Sequence, residues 1–216
     1  IAIDGPAGAG KSTIAKGVAK RLGYIYVDTG AMYRAIALYF IEKKVDVNDD
    51  AEIALALQNI TIEIIYKDEQ QRVLLNHMDI TESLREEAVG NMASVSSANK
   101  QVRAKLLDIQ RDLAITNNVV MDGRDIGTNV LPNAELKIYL TASSFCRANR
   151  RYKELVEKGE KANIEFIERD IIERDNRDMN RKEAPLKQAK DAEYIDSSDM
   201  SIDEVINAII MNWEFK

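Results

Sequence analysis

A short apolar run closed by an acid, Ile1-Ala2-Ile3-Asp4, leads directly into GPAGAGKST at positions 5–13. Gly5, Gly10, Lys11 and Ser12 fill the pattern G-x-x-x-x-G-K-[ST]. Ile14, Val18, Ala19 and Leu22 then recur with the period of one helix face. Strand, curled loop and helix are predicted in that order. Glycines let such a loop take positive φ and bring its N–H groups within reach of oxygen anions, and the helix start adds partial positive charge. In that geometry Gly5, Pro6, Ala7, Gly8, Ala9, Gly10, Lys11, Ser12 and Thr13 surround the phosphates of a nucleoside triphosphate. Lys11 meets the β and γ groups, and the Ser12 hydroxyl takes one position on Mg²⁺. The plainer alternative, a glycine-rich turn with a solvated lysine, requires neither the strand nor the helix.

The rest of the composition narrows the partners. With 216 residues, 45% of them hydrophobic, the chain can bury a substantial core and is expected to form one domain, 1–216, with local elaborations. A formal net charge of −6 argues against a general nucleic-acid binder, since affinity for a polyphosphate backbone depends on excess Lys and Arg. Cys146 is the single cysteine and His77 the single histidine, so no internal disulfide, zinc cluster or His-based triad can be assembled. No apolar run approaches the roughly 18 residues of a membrane span. A cytoplasmic protein without membrane attachment or a targeting signal is expected.

Short apolar runs alternate with long amphipathic stretches. This predicts an α/β fold with a mainly parallel sheet built from Ile1–Asp4, Tyr24–Asp28, Asn118–Asp122, Leu136–Leu140 and Tyr194–Asp196. Ile60–Ile80 breaks that rhythm: ITIEIIY and RVLLNHMDI flank the polar KDEQQ and read as an inserted antiparallel hairpin. The insert should begin after Val45 and end before a helix that starts near Glu86. Two charged helices, Ser143–Lys158 and Asn163–Met179, are predicted to meet at Gly159, with Pro185 beyond the second.

An ATPase spends the phosphoryl group on water, whereas a kinase must position a second substrate and exclude water, which calls for further anion-binding groups and a closing lid, so the placement of arginines tests between them. Seven of the 14 arginines lie within 147–181, a stretch with 10 basic and 9 acidic residues, so arginine is favoured there without crude basicity. Arg147, Arg150 and Arg151 share one helix face, as do Arg174, Asp178 and Arg181. Guanidinium forks suit phosphate oxygens, although exposed helices decorated with ion pairs show the same pattern. Ile167 and Ile171 lie on nearly the same side as Arg174 and Asp178, so that helix runs from core packing towards either a cleft or solvent.

Two strand ends carry tight polar clusters. In VDTGAMYR, Thr29 is predicted to cap a helix whose first turn contains Gly30, with Arg34 on the same face. An anion approaching the bare Gly30 backbone would meet Arg34; an ordinary capped helix with a surface arginine is the alternative. In VVMDGRDIGT the strand ends at Asp122, and Gly123, Arg124, Asp125 and Gly127 follow in a loop. Asp122 is placed either near Mg²⁺, through water, or as a turn former.

IDGPAGAGKST, DTGAMYRA, DGRDIGT, ERDNRDMNR and APL at Ala184–Leu186 occur in order, together with the inserted hairpin. In these segments, and over essentially its whole length, the chain resembles the cytidylate kinase family, the CMP/dCMP branch of the nucleoside monophosphate kinases. The resemblance implies a P-loop NTPase-type parallel sheet flanked by helices, with a small antiparallel β insert at about 45–95 and a helical lid over 147–181. It implies ATP and CMP or dCMP as substrates, Mg²⁺ with the ATP, and a monomer. By the family pattern Thr29, Arg103 and Asp125 face the cytosine base. Arg34, Arg124 and Arg181 hold the acceptor phosphate, and Ser94, Arg174 and Asp178 contact the sugar. Lys11, Arg124, Arg147 and Arg151 are the implied catalytic groups. Thr29 stands where many relatives have Ser, which keeps the hydroxyl.

Three other readings stay open on residues alone. A P-loop kinase acting on shikimate or a nucleoside would not need the acceptor-phosphate arginines. A GTP-binding switch needs [NT]-K-x-D, and the nearest match, NKQV at Asn99–Val102, lacks the Asp. A non-catalytic module would bind ATP without turnover.

Overall fold

The computed structural model describes residues 1–67 and 70–215. The chain opens with β1 (Ala2–Asp4), α1 (Lys11–Leu22) and β2 (Ile25–Asp28), and continues with α2 (Thr29–Lys43) and α3 (Asp50–Gln58). Next come β3 (Ile62–Lys67), β4 (Gln70–Leu75), β5 (Met78–Asp79), α4 (Glu87–Ser96) and α5 (Lys100–Thr116). β6 (Val119–Gly123), β7 (Lys137–Thr141), α6 (Ser144–Glu157), α7 (Ile164–Asn180), β8 (Glu193–Asp196) and α8 (Ile202–Glu214) complete it. Backbone contacts divide the chain into one unit of residues 1–26 and 118–216 and another of residues 27–117.

In the first unit the sheet order is β2-β6-β1-β7-β8. β1 pairs in parallel with both β6 and β7, and β7 with β8, so Asp4, Gly123, Thr141 and Asp196 all reach the same, carboxyl edge. Ligands of open α/β sheets bind at that edge. The middles of the central strands are apolar because helices flank the sheet: Ile3, Val120, Ile138 and Leu140 are buried with Ile14, Val18, Ile206 and Ile209. Each such side chain contributes about 1.5–3 kcal/mol by leaving water. α1 forms where Ile14, Ala15, Val18 and Ala19 share one inward face, and it stops at Gly23, whose φ of 66° breaks the helical path.

In the second unit α2 packs on α4 and α5, and α3 on α5. The insert is an antiparallel sheet ordered β3-β4-β5. RVLLNHMDI is therefore not one strand. Asn76 and His77 both take positive φ, 49° and 67°, and fold the chain back so that Leu75 faces Met78. This is the two-residue turn whose twist suits a hairpin, and Asn tolerates it well. The polar connection expected within KDEQQ includes Asp68 and Glu69, which lie outside the described residues. The start of α2 also differs from expectation: Asp28, not Thr29, is its cap, with Oδ1 accepting from the Ala31 N–H at 2.9 Å. Asp28 is still extended, φ −84° and ψ 97°, whereas Thr29 has already entered the helix and is buried.

Candidate active site

Residues 5–10 curl at the carboxyl end of β1. Gly5 has φ 154°, and a Cβ there would lie 1.9 Å from the Leu140 carbonyl oxygen, so no other residue fits without moving β7. Gly8 and Gly10 also take positive φ, 73° and 83°. α1 then begins with no side-chain cap, leaving its first N–H groups directed at whatever the loop encloses. Lys11 folds back and donates from Nζ to the Pro6 carbonyl at 2.7 Å. Burial, reinforced by the nearby Arg124 charge, lowers its ammonium to about 7, with Asp122, Asp178 and Asp4 pulling the other way.

Ser12 Oγ donates to Asp122 Oδ2 at 3.1 Å, and the Tyr26 hydroxyl donates to Asp122 Oδ1 at 2.9 Å. A hydroxyl and a buried carboxylate at this spacing are the hard oxygen donors that Mg²⁺ prefers, with its other positions left to water and phosphate. Among the described residues no group of three or more His, Cys, Asp and Glu side chains is arranged to hold a metal by itself. The donor set fits an ion that arrives with a nucleotide.

Three carboxylates hold the surroundings of the loop. Asp4, the last residue of β1, accepts from the Ile126 and Gly127 N–H groups, both at 2.7 Å. Burial pushes its carboxyl up to about 6, against the pull of those two bonds. Asp178 on α7 receives Arg124 Nε at 2.8 Å on one oxygen and lies 3.8 Å from Arg181 Nη1 with the other. Asp125 takes Arg181 Nη2 at 3.2 Å and the Asn129 amide at 3.0 Å. It stands just before a wide helical turn, Ile126–Val130, closed by a bond from the Leu131 N–H to the Ile126 carbonyl at 2.7 Å. Arg181 also donates twice to the Ala184 carbonyl, at 2.6 and 2.9 Å, inside the APL segment. Arg124, Arg181, Asp125 and Asp178 thus form one connected network in the first unit. Arg174 joins it less directly, 3.9 Å from Asp170, and burial together with Arg124 lowers its pKa.

The arginines on α6 divide. Arg147 is buried against Ala7 and Asp175, with Nη1 2.8 Å from the Ala7 carbonyl and 2.7 Å from Asp175 Oδ2. Arg150 donates to the Ser197 carbonyl at 2.7 Å. Arg151 is half-buried beside Glu154 at 2.9 Å.

In the second unit Arg34 Nη2 donates to Asp28 Oδ2 at 2.9 Å and lies across Gly30, where a Cβ would be 3.1 Å from Arg34 Nη1. Gln71 of β4 clips the Asp28 backbone from both sides, at 2.8 and 3.2 Å. Arg103 is buried over the Tyr33 ring at 5.5 Å and donates to the Ser97 carbonyl at 3.3 Å. Ser94 Oγ is buried with no protein partner, a hydroxyl suited to a ligand. Of the anticipated residues, the structure therefore groups Lys11, Ser12, Asp122, Arg124, Asp125, Arg174, Asp178 and Arg181 in one unit, and Thr29, Arg34, Ser94 and Arg103 in the other.

Sequence reasoning missed Asp4, Tyr26, Asp28 and Asp175. Asp4 and Asp28 carry the signal already used for Asp122, an acid closing an apolar strand. Asp175 offered only its place four residues after Ile171 on the inner face of α7, and Tyr26 offered nothing local.

Main-chain amides, a buried lysine and arginines propped on carboxylates can hold and neutralise a string of phosphates, which makes the protein a phosphate-loop phosphotransferase. A family model described as cytidylate kinase matches residues 1–214. A protein named cytidylate kinase from Lactiplantibacillus plantarum (strain WCFS1) is 50% identical over 209 residues, 97% of this chain and 92% of that one. Its namesakes in Ligilactobacillus salivarius and Bacillus subtilis (strain 168) are 48% and 47% identical over 210 residues, each covering 97% of this chain and 94% of the relative. The chain belongs to the cytidylate kinase family and is an ATP-dependent nucleoside monophosphate kinase. Among the described residues, no helix is long and apolar enough to cross a membrane.

Proposed function

We propose that the chain transfers the γ-phosphoryl group of ATP to CMP or dCMP, giving ADP and CDP or dCDP, as a cytoplasmic monomer. The observation that carries the acceptor assignment is the Asp178 network. It fixes two guanidinium groups, Arg124 and Arg181, on opposite oxygens of one buried carboxylate. An acceptor that already bears a phosphate needs such groups; a hydroxyl acceptor does not.

An oxygen of the CMP phosphate attacks the γ-phosphorus in line, and the bond from that phosphorus to the β–γ bridging oxygen breaks, releasing ADP. No general base is required, because the attacking oxygen is already ionised at neutral pH. Residues 5–13 position the donor through main-chain N–H groups, and Lys11 meets its β and γ phosphates. Ser12, with Asp122 through water, would hold Mg²⁺, which supplies positive charge at the donor phosphates when bound. Arg124 and Arg181, with Arg34, hold the acceptor phosphate; Arg124 and Arg151 offset charge on the transferring group, and Arg147 stands against the donor loop. Thr29, Arg103 and Asp125 read the base, and Ser94, Arg174 and Asp178 the sugar. Residues 147–181 act as the lid that excludes water.

A coupled assay of ADP release across CMP, dCMP, UMP, AMP and shikimate tests the proposal. Release should be fastest with CMP or dCMP. Release that is equal with AMP or shikimate, or absent with every acceptor, would overturn it.

A further inference from the structure

Ala7, in the middle of the loop, is gripped on both sides of its backbone by one ion pair. Arg147 Nη1 donates to its carbonyl at 2.8 Å, and Asp175 Oδ1 accepts from its N–H at 3.3 Å. Arg147 and Asp175 meet each other at 2.7 Å, and Arg147 Nε is anchored on the Ala142 carbonyl at 2.9 Å, just after β7. Both side chains are buried, at 7% and 10% exposure, too deep to be a decorative surface pair. Arg147 comes from α6 and Asp175 from α7, so both helices of the arginine-rich segment are fastened to one residue of the loop, through its two flanking peptide groups. The fit extends to Gly8, where a Cβ would come 3.4 Å from the Arg147 Cβ.

We infer that Arg147 and Asp175 are a positioning pair for the donor nucleotide, acting through Ala7 to set the direction of the loop's N–H groups. This rests on reading residues 5–13 as the donor-phosphate loop. Such a loop cradles the α and β phosphates with its backbone, so an effect passed through Ala7 falls on ADP and ATP alike. A guanidinium that touched the γ-phosphate would instead separate the two. The grip also makes the residues interdependent: removing either one leaves the other buried without its counter-charge and loosens its hold on Ala7.

Binding of ADP and of a non-hydrolysable ATP analogue, each with Mg²⁺, and of CMP is measured calorimetrically on the full chain. Arg147→Ala and Asp175→Ala should each weaken ADP and the analogue by about tenfold, a change of about 1.4 kcal/mol, and leave CMP within about twofold. The double variant should be no weaker than the worse single one. If either variant unfolds, Arg147→Lys and Asp175→Asn each keep part of the grip and should give smaller but still equal losses for the two donor nucleotides. Losses confined to the analogue, multiplicative losses in the double variant, or an equal loss for CMP would overturn the inference. Because no turnover is involved, the result stands apart from the acceptor assay: a chain inactive on CMP would leave this test unaffected.

Discussion

Oγ of Ser12 donates across 3.1 Å to Oδ2 of Asp122, joining the first turn of α1 to the end of β6. The second carboxylate oxygen is steadied by the Tyr26 hydroxyl at 2.9 Å. A carboxylate held in this way orients the hydroxyl proposed to bind Mg²⁺. Asp122→Asn should raise the Mg²⁺ concentration for half-maximal activity by about 10–100-fold, the usual effect of losing a group that orients a metal ligand. Nucleotide binding without Mg²⁺ should stay within about twofold. A Mg²⁺ titration with an unmoved midpoint would remove Asp122 from the site.

Lys11 is lowered to about 7 by burial, so at pH 8 most of the free protein carries it neutral. The negative charge of a triphosphate restores the ammonium. Binding of an ATP analogue at pH 8 should therefore take up close to one proton, roughly 0.9 for a group a unit above its pKa. Calorimetry in two buffers of different ionisation enthalpy reads this directly, and the uptake should vanish in Lys11→Met. The stability consequence follows from the same shift. A lysine whose folded pKa lies below its unfolded value of 10.5 destabilises the fold most below about pH 7, and that penalty fades as pH rises towards the unfolded value. Ligand-free Lys11→Met should gain more Tm at pH 6 than at pH 9. The reverse order would show that the bond to the Pro6 carbonyl outweighs the buried charge.

A Cβ at Gly30 would press on its neighbours, 3.1 Å from both Arg34 Nη1 and Asp28 Oδ1, so one of them must give by a few tenths of an ångström. The guanidinium is the end of a flexible chain and can swing away, so the cost of Gly30→Ala falls on function. KM for CMP should rise by about tenfold, with KM for ATP within about twofold and Tm within about 2 °C. A variant with unchanged KM for CMP would show that the Asp28–Arg34 pair is structural.

Asp125 lies between Arg181 and Asn129, at 3.2 and 3.0 Å. Removing its carboxylate takes away one of the anchors of Arg181, which keeps its bonds to the Ala184 carbonyl, and that loss is common to every monophosphate. The loss of an acceptor for the cytosine amine is not, because uracil presents a carbonyl there. Asp125→Ala should lower kcat/KM for CMP at least about tenfold more than for UMP, since a site built around a donor discriminates by leaving polar groups unpaired. Equal losses would place Asp125 with the phosphate and not the base.

The readings that held were local. The loop at 5–13 and the helix behind it are encoded by contiguous residues, and the five strands lie within a residue of their expected ends, the three central ones because each is a short, largely buried run. The readings that shifted were settled by competition between neighbours. Thr29 and Asp28 are both good caps, and the backbone conformation at Asp28 decided between them. Asn76 and His77 sit inside an apolar stretch that reads as one strand, yet the turn they make allows β5 to pair with β4.

By itself the sequence determined the phosphate loop, the α/β alternation and the arginine-rich segment, because backbone curvature, strand burial and helix faces depend on residues a few positions apart. Only the tertiary structure decided how that chemistry is held. The bond from the Ala7 N–H to Asp175 spans 168 positions, and Asp4 reaches across 122 to hold the backbone at Ile126. No local pattern records such pairings, since buried charges and amides take their partners from whatever the packed sheet and helices bring within reach.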